Sequence, residues 1–249
     1  MSEHLLTEKR FVDLSRQAQR RGIVTFSDFL TLYEVNILHQ NASLYAAAYR
    51  ISGGYELAER QLAAFLPDAL YYDWEYPIDC LMLSPAYPKF AEQLSHRDIL
   101  GAVMNLRIER AKIGDILVKE GCYYLFCKND ITSYLVEQLH QIRHTIINVT
   151  VTAFEHTGIQ PDFEESEAVI ASNRLDNVVS AMTKLSRSDA VQLIQSGKVF
   201  VQGKECLHNT YVCKEKDVLS IRSFGKFIFD GEQGLTRKNR LKISYKKYR

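Results

Sequence analysis

Residues 173–203 read NRLDNVVSAMTKLSRSDAVQLIQSGKVFVQG. Leu175, Val178, Val179 and Met182 recur at helical spacing and predict a short helix with one apolar face. Ser186 is a natural N-cap with Asp189 three residues on, so a second amphipathic helix is expected over RSDAVQLIQS. It is buried through Ala190, Leu193 and Ile194 and closed by Gly197. The period then changes from helical to alternating. KVFVQGKEC predicts a hairpin about Gln202-Gly203, while DVLSIRSFGKFIF and RLKISY predict further short strands. Two small helices followed by a small sheet make a compact α/β module, expected over residues 172–249.

Charge sets this module apart from the rest of the chain. The 249 residues carry 31 Lys and Arg against 30 Asp and Glu, a net of +1. Residues 174–249 alone hold 16 bases and 7 acids, a net of +9, and residues 1–173 hold 15 bases and 23 acids, a net of −8. A basic third on an acidic body is the electrostatic footprint of a polyanion-binding module. The acid-rich TGIQPDFEESEA, with its Gly and Pro, reads as the boundary before it.

Upstream of that boundary the chain predicts two more regions. Residues 1–73 read as mainly helical. Leu6, Phe11, Leu14 and Ala18 lie at helical spacing and Gly22 stops the run, a second helix is expected from near Ser27, and LYAAAYRIS is a short strand. After a Gly53-Gly54 turn, a helix is expected from about Glu56 to Pro67. Residues 74–160 read strand, helix, hairpin, helix, strand. The strands are expected at Ile78–Leu83, about Gly121 and at TIINVTVTAF, the helices after Ser95 and after Asp130. That order is ferredoxin-like, as in RRM domains, so the class expected for the whole chain is α+β.

The remaining features bound the chemistry. MSEHLLTEKR places charges where a signal peptide needs an apolar core, and no apolar run reaches membrane-spanning length, so a cytoplasmic protein without a membrane partner is expected. Five cysteines without a C-x-x-C pair point to reduced, mostly buried thiols. The seven histidines are scattered, and the i, i+4 pair His140 and His144 lacks the glutamate of H-E-x-x-H, so no metal is expected. No G-x-G-x-x-G is present for a dinucleotide or methyl donor, and no cofactor is expected.

Two short motifs look enzymatic. Arg174-Leu175-Asp176 resembles the tripeptide around the catalytic aspartate of many pseudouridine synthases. Lys184-Leu185-Ser186-Arg187-Ser188 resembles the ATP-holding loop of class I aminoacyl-tRNA synthetases. Neither stands in its enzyme's context. Asp176 is followed by NVVSAMTKL rather than a Thr/Ser-Gly-Leu-Leu run, and the chain has no H-I-G-H element.

A quieter resemblance covers both. RLDNVVSAMTKLSRSDAVQLIQSGKVFVQG with KDVLSIRSFGKF resembles the RNA-binding domain named after small-subunit ribosomal protein S-four. Gln202, Lys216 and Ser223 depart from its pattern at turns. SGGYELAERQLAAFLP, HRDILGAVMNLRIERAKIGDILV and GLTRKNRLKISY extend the resemblance to the bacterial YlmH family over nearly the whole chain, with Arg107 and Asn239 where glycines are expected. The resemblance implies a non-catalytic RNA-binding protein. Its implied partners are ribosomal RNA and/or tRNA on the large ribosomal subunit, in quality control of stalled chains, and the family's genes lie near cell-division genes. An RNA-modifying enzyme and a division-linked protein adaptor are the other two readings.

The candidate RNA contacts are Arg174, Arg187, Ser188, Lys198, Lys204, Arg222, Lys226, Arg237, Lys238 and Arg240. Arg187 opens the second helix, Lys198 lies just past its end, and Lys226, Arg237, Lys238 and Arg240 lie on or beside later strands, so a groove shared by these six is expected. Structured RNA is the expected ligand of a monomer, since few aromatics are arranged for base stacking.

Overall fold

The computed structural model describes residues 3–119, 121–154 and 163–248. The chain divides into two compact units, Met1–Gln160 and Pro161–Arg249. The regions 1–73 and 74–160 both lie in the first, and the chain as a whole is α+β.

The first unit begins with α1 (Glu3–Arg21), stopped by Gly22 at φ +63°. Its buried face is Thr7, Phe11, Ser15 and Ala18, whereas Leu6 points outward. After β1 (Thr25–Phe26), α2 (Leu32–Gln40) starts from Thr31, which forms a capping box with Glu34, and not from Ser27. The Ser27 hydroxyl instead accepts from the Ala63 N–H at 2.9 Å. The sheet is completed by β2 (Ala48–Ser52) and β3 (Leu62–Leu66), in the order β1-β3-β2. The helix expected over 56–66 is therefore corrected to a turn and a strand. QLAAFL is rich in helix formers, but Leu62, Ala63, Ala64 and Phe65 are buried on both faces of the middle strand, and that packing overrides propensity.

The strands β4 (Ile78–Pro85), β5 (Ile113–Lys119), β6 (Cys122–Lys128), β7 (Gln141–Ile142) and β8 (Thr145–Thr152) form an antiparallel sheet ordered β5-β6-β4-β8-β7. With α3 (His96–Asn105) after β4 and α4 (Thr132–Gln138) after β6, this is the split ferredoxin-like arrangement. Ser95 caps α3 in a capping box with Asp98. Asp130 does not cap α4: it sits in a 3-10 turn, and its carboxylate takes the Lys112 ammonium at 2.5 Å.

The family-like strings of this unit are structural. Asp115 of IGDI accepts from the Tyr55 hydroxyl and Glu59 N–H, both at 2.7 Å, and from the Arg60 N–H at 3.2 Å. The Arg60 guanidinium in turn donates to the carbonyls of Ile113 and Phe29 at 2.9 Å. SGGYELAER is thus pinned to the ferredoxin-like sheet.

The second unit is a six-stranded sheet with two helices. Its elements are β9 (Phe163–Ile170), α5 (Leu175–Thr183), α6 (Arg187–Gln195), β10 (Val199–Val201), β11 (Lys204–Glu205), β12 (Asp217–Ile221), β13 (Gly225–Leu235) and β14 (Leu241–Tyr248). The sheet order is β11-β10-β12-β13-β14-β9. Leu175, Val178, Val179, Met182, Ala190 and Ile194 of the helices pack on Val199, Leu219, Phe227 and Ile243 of one sheet face. The division between the two units falls within the acid-rich stretch, whose second half is a strand. Thr157–Asp162 lies outside the described residues, but FEESEAVI is the edge strand β9, paired along its length with β14. Charge hid it, since alternating glutamates on a solvated edge read like a linker.

The five departures from family pattern share one property. Arg107, Gln202, Lys216, Ser223 and Asn239 all have φ between +48° and +71°, the left-handed region that favours glycine. The backbone shape is kept and the chain bears the strain. Lys216→Gly and Ser223→Gly are each expected to raise stability by about 0.5–1 kcal/mol, the relieved strain less the entropy of glycine. Urea denaturation reads this directly, and a fall in either midpoint contradicts it.

Candidate nucleic-acid interface

Asp176 lies in the first turn of α5 and is 1% exposed, although a carboxylate there requires partners to be buried. It has three. Arg187, the first residue of α6, donates through Nε at 3.0 Å and through a terminal nitrogen at 2.7 Å to one carboxylate oxygen. Arg174, immediately before α5, donates to the two oxygens at 3.3 and 3.4 Å. The Asn177 N–H completes the set at 3.0 Å. Burial by itself raises the Asp176 carboxyl, but hydrogen bonds from Arg187 and Arg174, with their charges, outweigh it and hold the group below its ordinary value.

The consequence is a pair of guanidiniums fixed at the starts of two helices with their outer edges in solvent. The Arg187 side chain is 56% exposed and that of Arg174 38%. At the start of α6 the Ser186 hydroxyl accepts from the Asp189 N–H at 3.2 Å and lies 2.8 Å from the Ser188 hydroxyl. First-turn N–H groups, a hydroxyl and two held cations together suit a phosphate oxygen. An arginine at a helix start has no apolar burial to lose, but Arg187 is the nearest counter-ion of a buried carboxylate, so its removal costs an ion pair.

The other sequence-derived contacts divide between two ends of the sheet rather than forming one groove. Arg237, Lys238 and Arg240 are exposed on the turn between β13 and β14, and Arg240 reaches the Val169 carbonyl at 3.3 Å, where β9 leads toward α5. Lys198, Arg222 and Lys226 gather at the opposite end of β13. There the Arg222 N–H donates to the Lys198 carbonyl at 2.9 Å, and Lys226 is opposite Ser220. Strand β13 runs from Gly225 to Leu235, so the two groups are about 30 Å apart. Lys204 is exposed on the edge strand β11. Sequence reasoning missed the rings of Phe200 and Tyr248 beside Arg222 and Lys226. Their signal was the alternation that sets Phe200 out of phase with the buried Val199 and Val201.

In the first unit, the ferredoxin-like sheet turns Phe126 away from its helices, but the ring is 1% exposed. Tyr55 and Phe154 cover it at centroid distances of 5.0 and 4.9 Å. Among the described residues no helix is long and apolar enough to cross a membrane.

Asp176→Asn is expected to cost about 1–3 kcal/mol near neutral pH, since two charge-assisted bonds are weakened in a buried site. The folded carboxyl lies below its unfolded value, so its stabilisation is present above about pH 4 and is lost as pH falls through the folded pKa. The gap between wild type and variant therefore closes on acidification. Denaturation at pH 7 and at pH 3 checks this, and an equal gap at both contradicts it.

Comparison with known proteins finds matches to both units. Residues 75–156 match the family described as "Putative RNA-binding domain in YlmH", and residues 173–219 match the S4 domain. The Bacillus subtilis (strain 168) "Ribosome-associated protein quality control protein P2" is 27% identical over 245 residues, 96% of this chain and 95% of that protein. The solved "Cell division protein ylmH from Streptococcus pneumoniae" superposes with a TM-score of 0.52 at 22% identity, over 63% of this chain and 95% of that one, and shares the fold. A stretch similar to the RNA-binding domain of YlmH is thus followed by one similar to the S4 domain, in which Asp176 anchors two arginines, and in both the chain resembles the YlmH proteins.

Proposed function

We propose that this protein is a non-catalytic, cytoplasmic, monomeric factor that grips structured RNA of the large ribosomal subunit, or tRNA bound there, during quality control of stalled nascent chains. The observation that carries the reading is the buried Asp176 holding Arg187 and Arg174 as a preformed cationic fork. A fork ordered in advance spends less side-chain entropy on each phosphate it meets. The quality-control name of the Bacillus subtilis relative, which aligns over 96% of this chain, supports the ribosomal setting.

The same observation weighs against the pseudouridine-synthase alternative. A catalytic aspartate must reach its base, whereas Asp176 is 1% exposed and occupied by two guanidiniums. Two measurements test the reading. Affinity for large-subunit ribosomal RNA should fall steeply between about 50 and 200 mM salt, as counterions released on binding lose their entropic advantage. Nucleoside mass spectrometry of RNA treated with the protein should show no new modification; pseudouridine formed by wild type but not by Asp176→Asn would overturn the non-enzyme reading.

A further inference from the structure

In the second unit α5 and α6 pack on one face of the sheet, burying Val199, Val201, Leu219, Ile221, Phe227 and Phe229. The alternate residues therefore stand on the opposite face. One cross-strand row runs Phe200 opposite Ser220, Ser220 opposite Lys226, and Tyr248 opposite Phe163. Lys226 and Tyr248 are joined by the ammonium, 5.8 Å from the ring centroid. Phe200 has the Arg222 guanidinium 5.3 Å above it, and Tyr248 is held edge-on by Phe163 at 4.9 Å. Phe200, Lys226 and Tyr248 are half-exposed, and Arg222 is exposed.

We propose that this open sheet face holds a short unpaired stretch of RNA, with bases stacked on Phe200 and Tyr248 and phosphates met by Arg222 and Lys226. The inference rests on the RNA-binding reading above and adds a second class of RNA feature to it.

Three observations carry it. The rings are three strands apart, about 14 Å, a span that two or three extended nucleotides cover. A guanidinium over Phe200 shows that one face of the ring accepts a planar cationic group; a base takes that place or slides beneath the guanidinium, which then stacks on its far side. The cations beside the rings are Arg222, 5.3 Å from the Phe200 centroid, and Lys226, 5.8 Å from that of Tyr248, whereas Glu165 and Asp230 flank Lys246 at 3.4 and 4.0 Å. This face also gives a role to Arg222 and Lys226, which lie about 30 Å along β13 from Arg237, Lys238 and Arg240. The fork meets a duplex backbone, and the sheet meets the single strand that leaves it.

The test uses the full chain and two labelled probes, a 12-nucleotide oligoadenylate and a blunt 12-base-pair RNA duplex, read by fluorescence anisotropy. Phe200→Leu with Tyr248→Leu keeps the apolar volume and removes both rings. Roughly tenfold weaker oligoadenylate binding per ring is expected, with duplex affinity within about twofold. Arg222→Ala should weaken oligoadenylate binding without altering the fold, because its side chain is exposed. Wild-type binding of duplex but not of oligoadenylate overturns this inference alone, and binding of neither probe overturns the RNA-binding reading beneath it. The inference also fails if the double variant binds oligoadenylate like wild type. A variant that keeps oligoadenylate but loses large subunits would assign the face to a protein instead.

Discussion

Arg187→Ala is expected to weaken association with large ribosomal subunits by about tenfold or more, and to cost about 1–3 kcal/mol of stability as well. Both effects have one cause. The guanidinium spends one edge on Asp176, at 2.7 and 3.0 Å, and presents the rest to solvent at the start of α6. Removing it takes away a bidentate phosphate ligand and leaves a buried carboxylate with Arg174 and the Asn177 N–H. The loss of stability obscures the alanine variant, so Arg187→Lys is the sharper probe. A lysine keeps the charge, and Asp176 stays paired, but a point charge lacks the planar fork. Subunit binding is expected to fall while the denaturation midpoint moves little. Binding equal to wild type in the lysine variant would mean that charge alone is recognised.

Gly53→Ala is expected to destabilise the first unit by about 3 kcal/mol, near the top of the range for overpacking. A Cβ there would lie 2.3 Å from both the Arg60 carbonyl oxygen and the Ala58 Cβ. Arg60 is not free to retreat, because its N–H is held by Asp115 and its guanidinium is bonded to the carbonyls of Phe29 and Ile113. The single tryptophan, Trp74, lies in this unit, so its fluorescence in a urea titration follows the transition. An unchanged midpoint would show that the Gly53–Arg60 turn opens at little cost.

Where local chemistry and tertiary packing agree, the chain is legible. Ser95 with Asp98 and Ser186 with Asp189 announce α3 and α6, and the alternation around Gln202-Gly203 announces the β10–β11 hairpin. Where they conflict, local reading fails. Leu62–Leu66 has the composition of a helix and becomes a strand because both its faces are covered, and FEESEAVI has the composition of a linker and becomes an edge strand because β14 offers it a partner. The candidate site divides in the same way. Arg174, Asp176 and Arg187 are readable because they belong to one short motif. The grouping of Arg222 and Lys226 with Phe200 and Tyr248 arises only when the four strands β10, β12, β13 and β14 align, and no local pattern reports strand register.

The central claim is that the Asp176-anchored fork is the ribosome contact. Co-sedimentation of large ribosomal subunits with three folded proteins tests it: wild type, Arg187→Lys, and the triple variant of Arg16, Arg20 and Arg21 to alanine, which removes the basic cluster at the end of α1. Wild type and the triple variant should pellet with the subunits, and Arg187→Lys should remain largely in the supernatant. If Arg187→Lys pellets like wild type while the triple variant does not, the contact lies in the first unit and the account is wrong.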